Sequence, residues 1–152
     1  MPDLSDRFAE EQSNIIEWRG VPIHGLYEFE EIPRSITLEF ISAKEQPVQG
    51  IQLRMRGGTM TVNDTESDDV VLWQDTAPTR VEIEIRTKPR GRTTLKLWNV
   101  WRGGHDVTQA WLGNAAIRVH DEPSGRTVLH CSDGQGDPDF DDLVVAVTAQ
   151  WP

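Results

Sequence analysis

At 152 residues, with 37% hydrophobic and 26% charged, the chain has the size and balance of one soluble globular domain with a real core. No stretch is long and apolar enough to span a membrane. The formal net charge of -10 disfavours nucleic acid and anionic membrane as partners, because both need Lys and Arg against their phosphates. It leaves two uses for the excess acid: solubility and cation binding.

The N-terminus, MPDLSDRFAEEQSNIIEW, is acidic and lacks the basic and apolar regions of a secretory signal. Met1 reads as a natural start. DRFAEEQSNIIEW has some helical character, with Phe8, Ile15 and Ile16 as apolar points, so residues 1–20 are expected to form a short helix or arm. Cys131 is the single cysteine. It excludes an intrachain disulfide and a cysteine-based zinc site, and with the missing signal it fits a reducing, cytoplasmic compartment.

After Gly20 the texture changes to alternation of apolar and polar residues, broken by Gly, Pro, Asn and Asp. SITLEF sets Ile36, Leu38 and Phe40 on one face. GIQLRMRGG sets Ile51, Leu53 and Met55 inward and Gln52, Arg54 and Arg56 outward. TMTVND and DVVLW follow. TRVEIEIR is the cleanest case, with Val81, Ile83 and Ile85 opposed to Arg80, Glu82, Glu84 and Arg86. TTLKLWNVW, NAAIRVHD, RTVLHC and DLVVAVTA complete about nine strands. Many short strands with regular turns predict an all-β fold, an antiparallel sandwich of one domain, 1–152. A jelly roll, two packed similar β-units and a closed barrel are all compatible with the pattern. SITLEF against TTLKLW, and VNDTESDDVVLWQD against VHDEPSGRTVLHCSD, suggest an internal duplication of 35–85 as 93–147. In that alignment the short turn DTAPTR corresponds to the longer DGQGDPDFDD, and a lengthened loop on a rigid scaffold tends to carry function.

That loop holds five carboxylates, Asp133, Asp137, Asp139, Asp141 and Asp142, just before the apolar run LVVAV. In an extended backbone the alternating Asp137, Asp139 and Asp141 point the same way, and uncompensated they would repel. Calcium takes six to eight oxygens from carboxylates, carbonyls and water, and Gly134 and Gly136 would let carbonyls turn toward it. Magnesium prefers fewer carboxylates, and zinc would want Cys or clustered His. The five aspartates are therefore the candidate metal ligands, with calcium as the cofactor. The other reading is a solvated hairpin loop with Asx turns, whose charge deters aggregation of an apolar strand.

GDPDFDDLVV also resembles the D-x-D-[FY]-[DN]-D-[LV]-V motif near the last strand of several bacterial calcium-binding β-sandwich modules, found in surface, adhesion and carbohydrate-binding proteins. The resemblance covers about 12 of the 152 residues. It implies Asp137, Asp139 and Asp142 as metal ligands. The chain departs from the pattern at Asp141, where Asn is frequent, and in its lack of a secretion signal.

Six of the eleven aromatic residues are tryptophans, three of them in LKLWNVWRGGHDVTQAW. On a strand Trp98 and Trp101 face opposite ways, so one is expected in the core and the other outside, near the RGGHD turn. Trp101 with Arg102, His105 and Asp106 is the candidate ligand site: an indole to stack on a sugar ring and polar groups to fix its hydroxyls. The alternative is that all the indoles are packing residues. His130 and Cys131 are adjacent and so face opposite ways on a strand, which rules out a Cys-His dyad. Cys131 shares parity with Leu129 and reads as a small buried hydrophobe. No catalytic or nucleotide-binding motif is present. The sequence thus points to a non-catalytic calcium-binding sandwich, with carbohydrate or another small polar molecule as ligand. The alternatives are a metal-free interaction domain, with VVAVTA as an inner strand or a homodimer seam, and a small barrel enzyme with an apolar lumen.

Overall fold

The computed structural model describes residues 3–151; the first two residues of the expected N-terminal arm lie outside them. The arm divides into a helix and a strand. Helix α1 spans Leu4–Glu11. It starts at Asp3, whose carboxylate accepts from Asp6 N–H at 3.0 Å, while Asp6 accepts from Asp3 N–H at 3.1 Å. This reciprocal cap satisfies two donors that a helix start otherwise leaves unpaired. Ile15 and Ile16 leave the expected helix for strand β1 (Ile15–Trp18), which pairs with β2 (Val21–His24). Arg19 and Gly20 both have positive φ at the turn between them, the requirement of a tight two-residue hairpin.

The other strands follow in order: β3 (Tyr27–Glu28), β4 (Ser35–Ala43), β5 (Gln49–Arg56), β6 (Gly58–Val62), β7 (Thr65–Ser67), β8 (Asp69–Trp73), β9 (Arg80–Thr87), β10 (Thr94–Arg102), β11 (Thr108–Gln109), β12 (Ala116–Asp121), β13 (Arg126–Ser132) and β14 (Leu143–Gln150). All pair antiparallel, in two sheets. One has nine strands in the order β1-β2-β12-β13-β14-β4-β9-β6-β7; the other runs β11-β10-β5-β8, with β3 also on β10. The fold is the expected all-β sandwich. All nine strands read from alternation are present, and the five additional ones (β1, β2, β3, β7, β11) are too short to show a period.

The core lies between the sheets. Ile36, Leu38, Ile51, Leu53, Ile83, Leu97, Leu129, Leu143 and Val145 are all fully buried there. These side chains form one continuous cluster. β14 is an inner strand between β13 and β4. Its second face is buried too, Val144 and Ala146 packing with Val128. Both sheets take strands from both segments, 35–85 and 93–147, and β9 and β14 flank the same strand, β4.

A second, smaller core joins Leu4, Ile16, Ile23, Ala116 and Phe140, with Phe8 and Trp18 packed against it. It ties α1 and the first hairpin to the acidic loop. Among the described residues no helix is long and apolar enough to cross a membrane.

Leu97 is fully buried in the main core, and Leu97→Ala should cost about 2–5 kcal/mol through lost transfer energy and the cavity left behind. Urea unfolding followed by circular dichroism should show a lower midpoint at unchanged slope.

Candidate functional site

The acidic loop joins β13 to β14 and splits its aspartates into two groups. Asp133 and Asp142 are turned in and buried. Asp142 Oδ2 accepts from Asp133 N–H at 3.0 Å, and Asp133 Oδ1 accepts from Gln135 N–H at 2.9 Å. Lys44 Nζ lies 2.7 Å from Asp133 Oδ2 and 3.3 Å from Asp142 Oδ1. Gln49 Nε2 donates to Asp133 Oδ2 at 2.9 Å and to Pro47 O at 3.0 Å, while Gln49 Oε1 is buried without a partner. Burial pushes the Asp142 carboxyl above its ordinary range and the charge of Asp133 adds to this; Asp133 N–H and Lys44 pull the other way without cancelling it. Burial alone would lower Lys44, but its hydrogen bond to Asp133 and the two carboxylate charges outweigh that and hold it above its usual value.

Asp137, Asp139 and Asp141 are exposed. The backbone turns here instead of running extended, so alternation does not bring them together. Asp139 Oδ1 accepts from Asp141 N–H at 2.9 Å, an Asx turn, and Asp142 N–H donates to Asp139 O at 3.2 Å. Asp141 approaches His130 Nδ1 at 3.8 Å. Among the described residues no three acidic, His or Cys side chains form a metal-holding group. The two carboxylates that converge do so on the Lys44 ammonium, and the other three face solvent.

The loop is anchored at several points. Asn99 Nδ2 donates to Ser132 O at 2.9 Å, and Ser132 Oγ accepts from Asp139 N–H at 3.1 Å. Phe140 sits in the second core, with its ring 5.6 Å from that of Trp18. Gly134 lies so close to the Trp101 ring that a β-carbon there would come within 2.5 Å of it. Gly113, at positive φ, packs on Gly134 O with no room for a side chain. Asn114 Nδ2 donates to Gly136 O at 2.7 Å, and its Oδ1 accepts from Leu4 N–H at 3.0 Å. The acidic loop therefore holds the 111–115 loop, which holds α1.

The expected ligand site, Trp101, Arg102, His105 and Asp106, is not assembled. Trp101 faces the core and is 2% exposed. Trp98, on the other face of β10, is buried as well, because Trp111 folds back over it with ring centroids 4.8 Å apart. Arg102 pairs with Asp75 at 2.9 Å and lies over Trp73. His105 and Asp106 sit on the exposed turn Gly104–Asp106, away from any inward-facing indole. Cys131 is buried as expected, and burial, then the Asp142 charge, raises its thiol far above the usual range.

Trp151 is 52% exposed, and of the three tryptophans in LKLWNVWRGGHDVTQAW the one that meets solvent is Trp111, 46% exposed. Its Nε1 donates to Gly25 O at 2.9 Å. It walls a pocket of about 490 Å3 between α1, the residues after β2 and the 111–115 loop. Phe8 is the second aromatic wall; Ser5, Gln12, Ser13 and Asn14 supply the polar groups, and no ionisable side chain lines the space. Sequence reasoning missed this pocket because its walls come from three distant segments. It also missed Lys44 and Gln49, although Gln49 did carry a signal: it shares parity with Ile51, Leu53 and Met55 on β5 and so had to be buried. A larger groove of about 930 Å3 is rimmed by Glu28, Glu30, Glu31 and Asp121 around Tyr27 and Trp151. Comparison of the chain with protein-family models, curated proteins and solved structures finds no match.

Two histidines give the molecule an acid-side sensitivity. Burial lowers the pKa of His24; burial, then Arg118, lowers that of His130. Both are more easily protonated in the unfolded chain, at the ordinary value of 6.5. The unfolded state thus binds more protons below that pH, and stability falls as pH drops through it. Urea midpoints should be flat just above pH 6.5 and decline below it, and His24→Gln should make the decline shallower.

Proposed function

We propose that the chain is a non-catalytic binding module for a neutral polyhydroxylated ligand, a carbohydrate above all, taken up in the Trp111 pocket. The observation that carries this reading is the pairing of a half-exposed indole with uncharged donors and acceptors around one pocket. A sugar ring offers an apolar C–H face and a rim of hydroxyls. The indole and Phe8 match the first; the amides of Gln12 and Asn14 and the hydroxyl of Ser5 match the second. The volume lies within the range of small-ligand sites, about 300–1,000 Å3. Trp111 enters the pocket already oriented, since it stacks on Trp98 and its N–H is engaged by Gly25 O. Little side-chain freedom is then lost on binding. The larger groove suits a neutral sugar less well, because its four carboxylates, with Arg92 and His24 as their basic neighbours, would have to shed water to bind an uncharged ligand.

Screening neutral mono- and oligosaccharides by glycan array and calorimetry should yield binders that quench tryptophan fluorescence. Trp111→Ala should weaken the best of them at least tenfold, about 1.4 kcal/mol. Asn14→Ala should weaken it without lowering the melting temperature, and Trp111→Phe should retain part of the affinity. If no neutral saccharide binds at millimolar concentration, or if both alanine variants bind like the wild type, the reading is wrong.

A further inference from the structure

The motif GDPDFDDLVV leads to an expectation of calcium, and the side chains around it supply a different cation. In a calcium site, carboxylates, carbonyls and water converge on the ion from six to eight directions. Here the two aspartates that converge, Asp133 and Asp142, meet at Lys44 Nζ, at 2.7 Å and 3.3 Å. The ammonium reaches this position by construction of the backbone. β4 pairs with β14 as far as Phe40 opposite Val145, then carries one extra residue, Ile41, so that Ser42 falls opposite Val144 and Ala43 opposite Leu143. The bulge sets the register after it, as bulges do. Lys44 follows directly, and its N–H donates to Asp142 O at 2.9 Å. Its side chain, 33% exposed, reaches the two buried carboxylates.

We propose that Lys44 is the resident cation of the loop: its ammonium neutralises and orders Asp133 and Asp142 in the way a divalent ion would, and closes that position to calcium. Two buried negative charges stand against one positive charge, and the balance is made by neutral donors. Gln49 Nε2, Asp133 N–H and Gln135 N–H all give hydrogen bonds to these two carboxylates. The unpartnered, fully buried Gln49 Oε1 belongs to the same group of side chains. With the ammonium removed, the two carboxylates are left without a cation, and carboxylate oxygen is the ligand type that calcium prefers. The exposed Asp137, Asp139 and Asp141 have no part in this assignment. It is independent of saccharide binding at Trp111 and stands or falls separately.

The experiment is a set of thermal melts of wild type and Lys44→Ala, each in EDTA and then in millimolar calcium. The wild-type midpoint should be the same in both. Lys44→Ala should melt several degrees lower in EDTA and recover a large part of the loss in calcium, because an ion that binds only the folded state raises its stability by mass action. Stabilisation of the wild type by calcium would overturn the proposal. So would a Lys44→Ala variant that melts with the wild type in EDTA, or one that is destabilised and indifferent to calcium. Should Lys44→Ala fail to fold in either condition, a Lys44→Met, Asp133→Asn, Asp142→Asn triple variant decides. A wild-type-like midpoint supports neutralisation as the role of Lys44, and failure of the triple variant to fold overturns it.

Discussion

A buried charge must be matched, and in this protein the matching of two aspartates by one lysine fixes the site end of the sandwich. Removing one member of a buried ion pair typically costs about 3–5 kcal/mol, since it strands the other charge in a poor solvent. Asp133 and Asp142 bracket the acidic loop, so anchoring both fixes where the loop leaves β13 and where it enters β14. Everything around the Trp111 pocket is set from there. Gly134 closes against Trp101, Gly113 closes against Gly134, and Asn114 bridges Gly136 to Leu4 at the start of α1. Phe140, between the exposed Asp139 and Asp141, inserts into the small core that α1 and the first hairpin share. The acidic loop is thus a connector that transmits the position of the sheet to a peripheral helix.

The main sheets were legible because alternation reports which residues face inward. β9 is the clearest instance: Val81 and Ile83 are buried and Arg80, Glu82 and Glu84 are exposed. Polar residues with inward parity were equally legible in principle. Gln49 and Asn99 each stand in line with buried apolar neighbours, and each makes a buried hydrogen bond to the acidic loop or its strand. The bulge at Ile41 had no such signal, because one extra residue in a strand is visible only against its partner. Without it the partnership of Lys44 with residues far along the chain could not be read either.

The tryptophans show a different limit. Parity correctly separated Trp98 from Trp101, yet parity says only which face a side chain takes, not what lies over that face. β10 is buried on both sides because the chain after it returns and lays Trp111 on Trp98. Trp101, the indole expected to meet a ligand, turned inward, while Trp98 on the other face became part of a stacked pair whose cap, Trp111, is the exposed one. The carboxylates illustrate the same point. Five acidic residues close in sequence look like one cluster, but a single turn divides them into a buried pair and an exposed trio.

The placement of α1 has a consequence for how the pocket would behave as a receptor. An eight-residue helix is not self-sustaining in water; this one persists through its cap, buried Leu4 and the bonds to Gly113 and Asn114. The helix supplies Ser5, Phe8 and Ala9 to the pocket wall, so the wall belongs to an element of low local stability. On the proposed reading, fraying of the helix would dismantle the binding site, and the apparent affinity would be the intrinsic affinity scaled by the fraction of molecules in which the helix is docked. The linkage would run in both directions: an occupied pocket would latch the N-terminal segment, and whatever held that segment in its frayed form would empty the pocket.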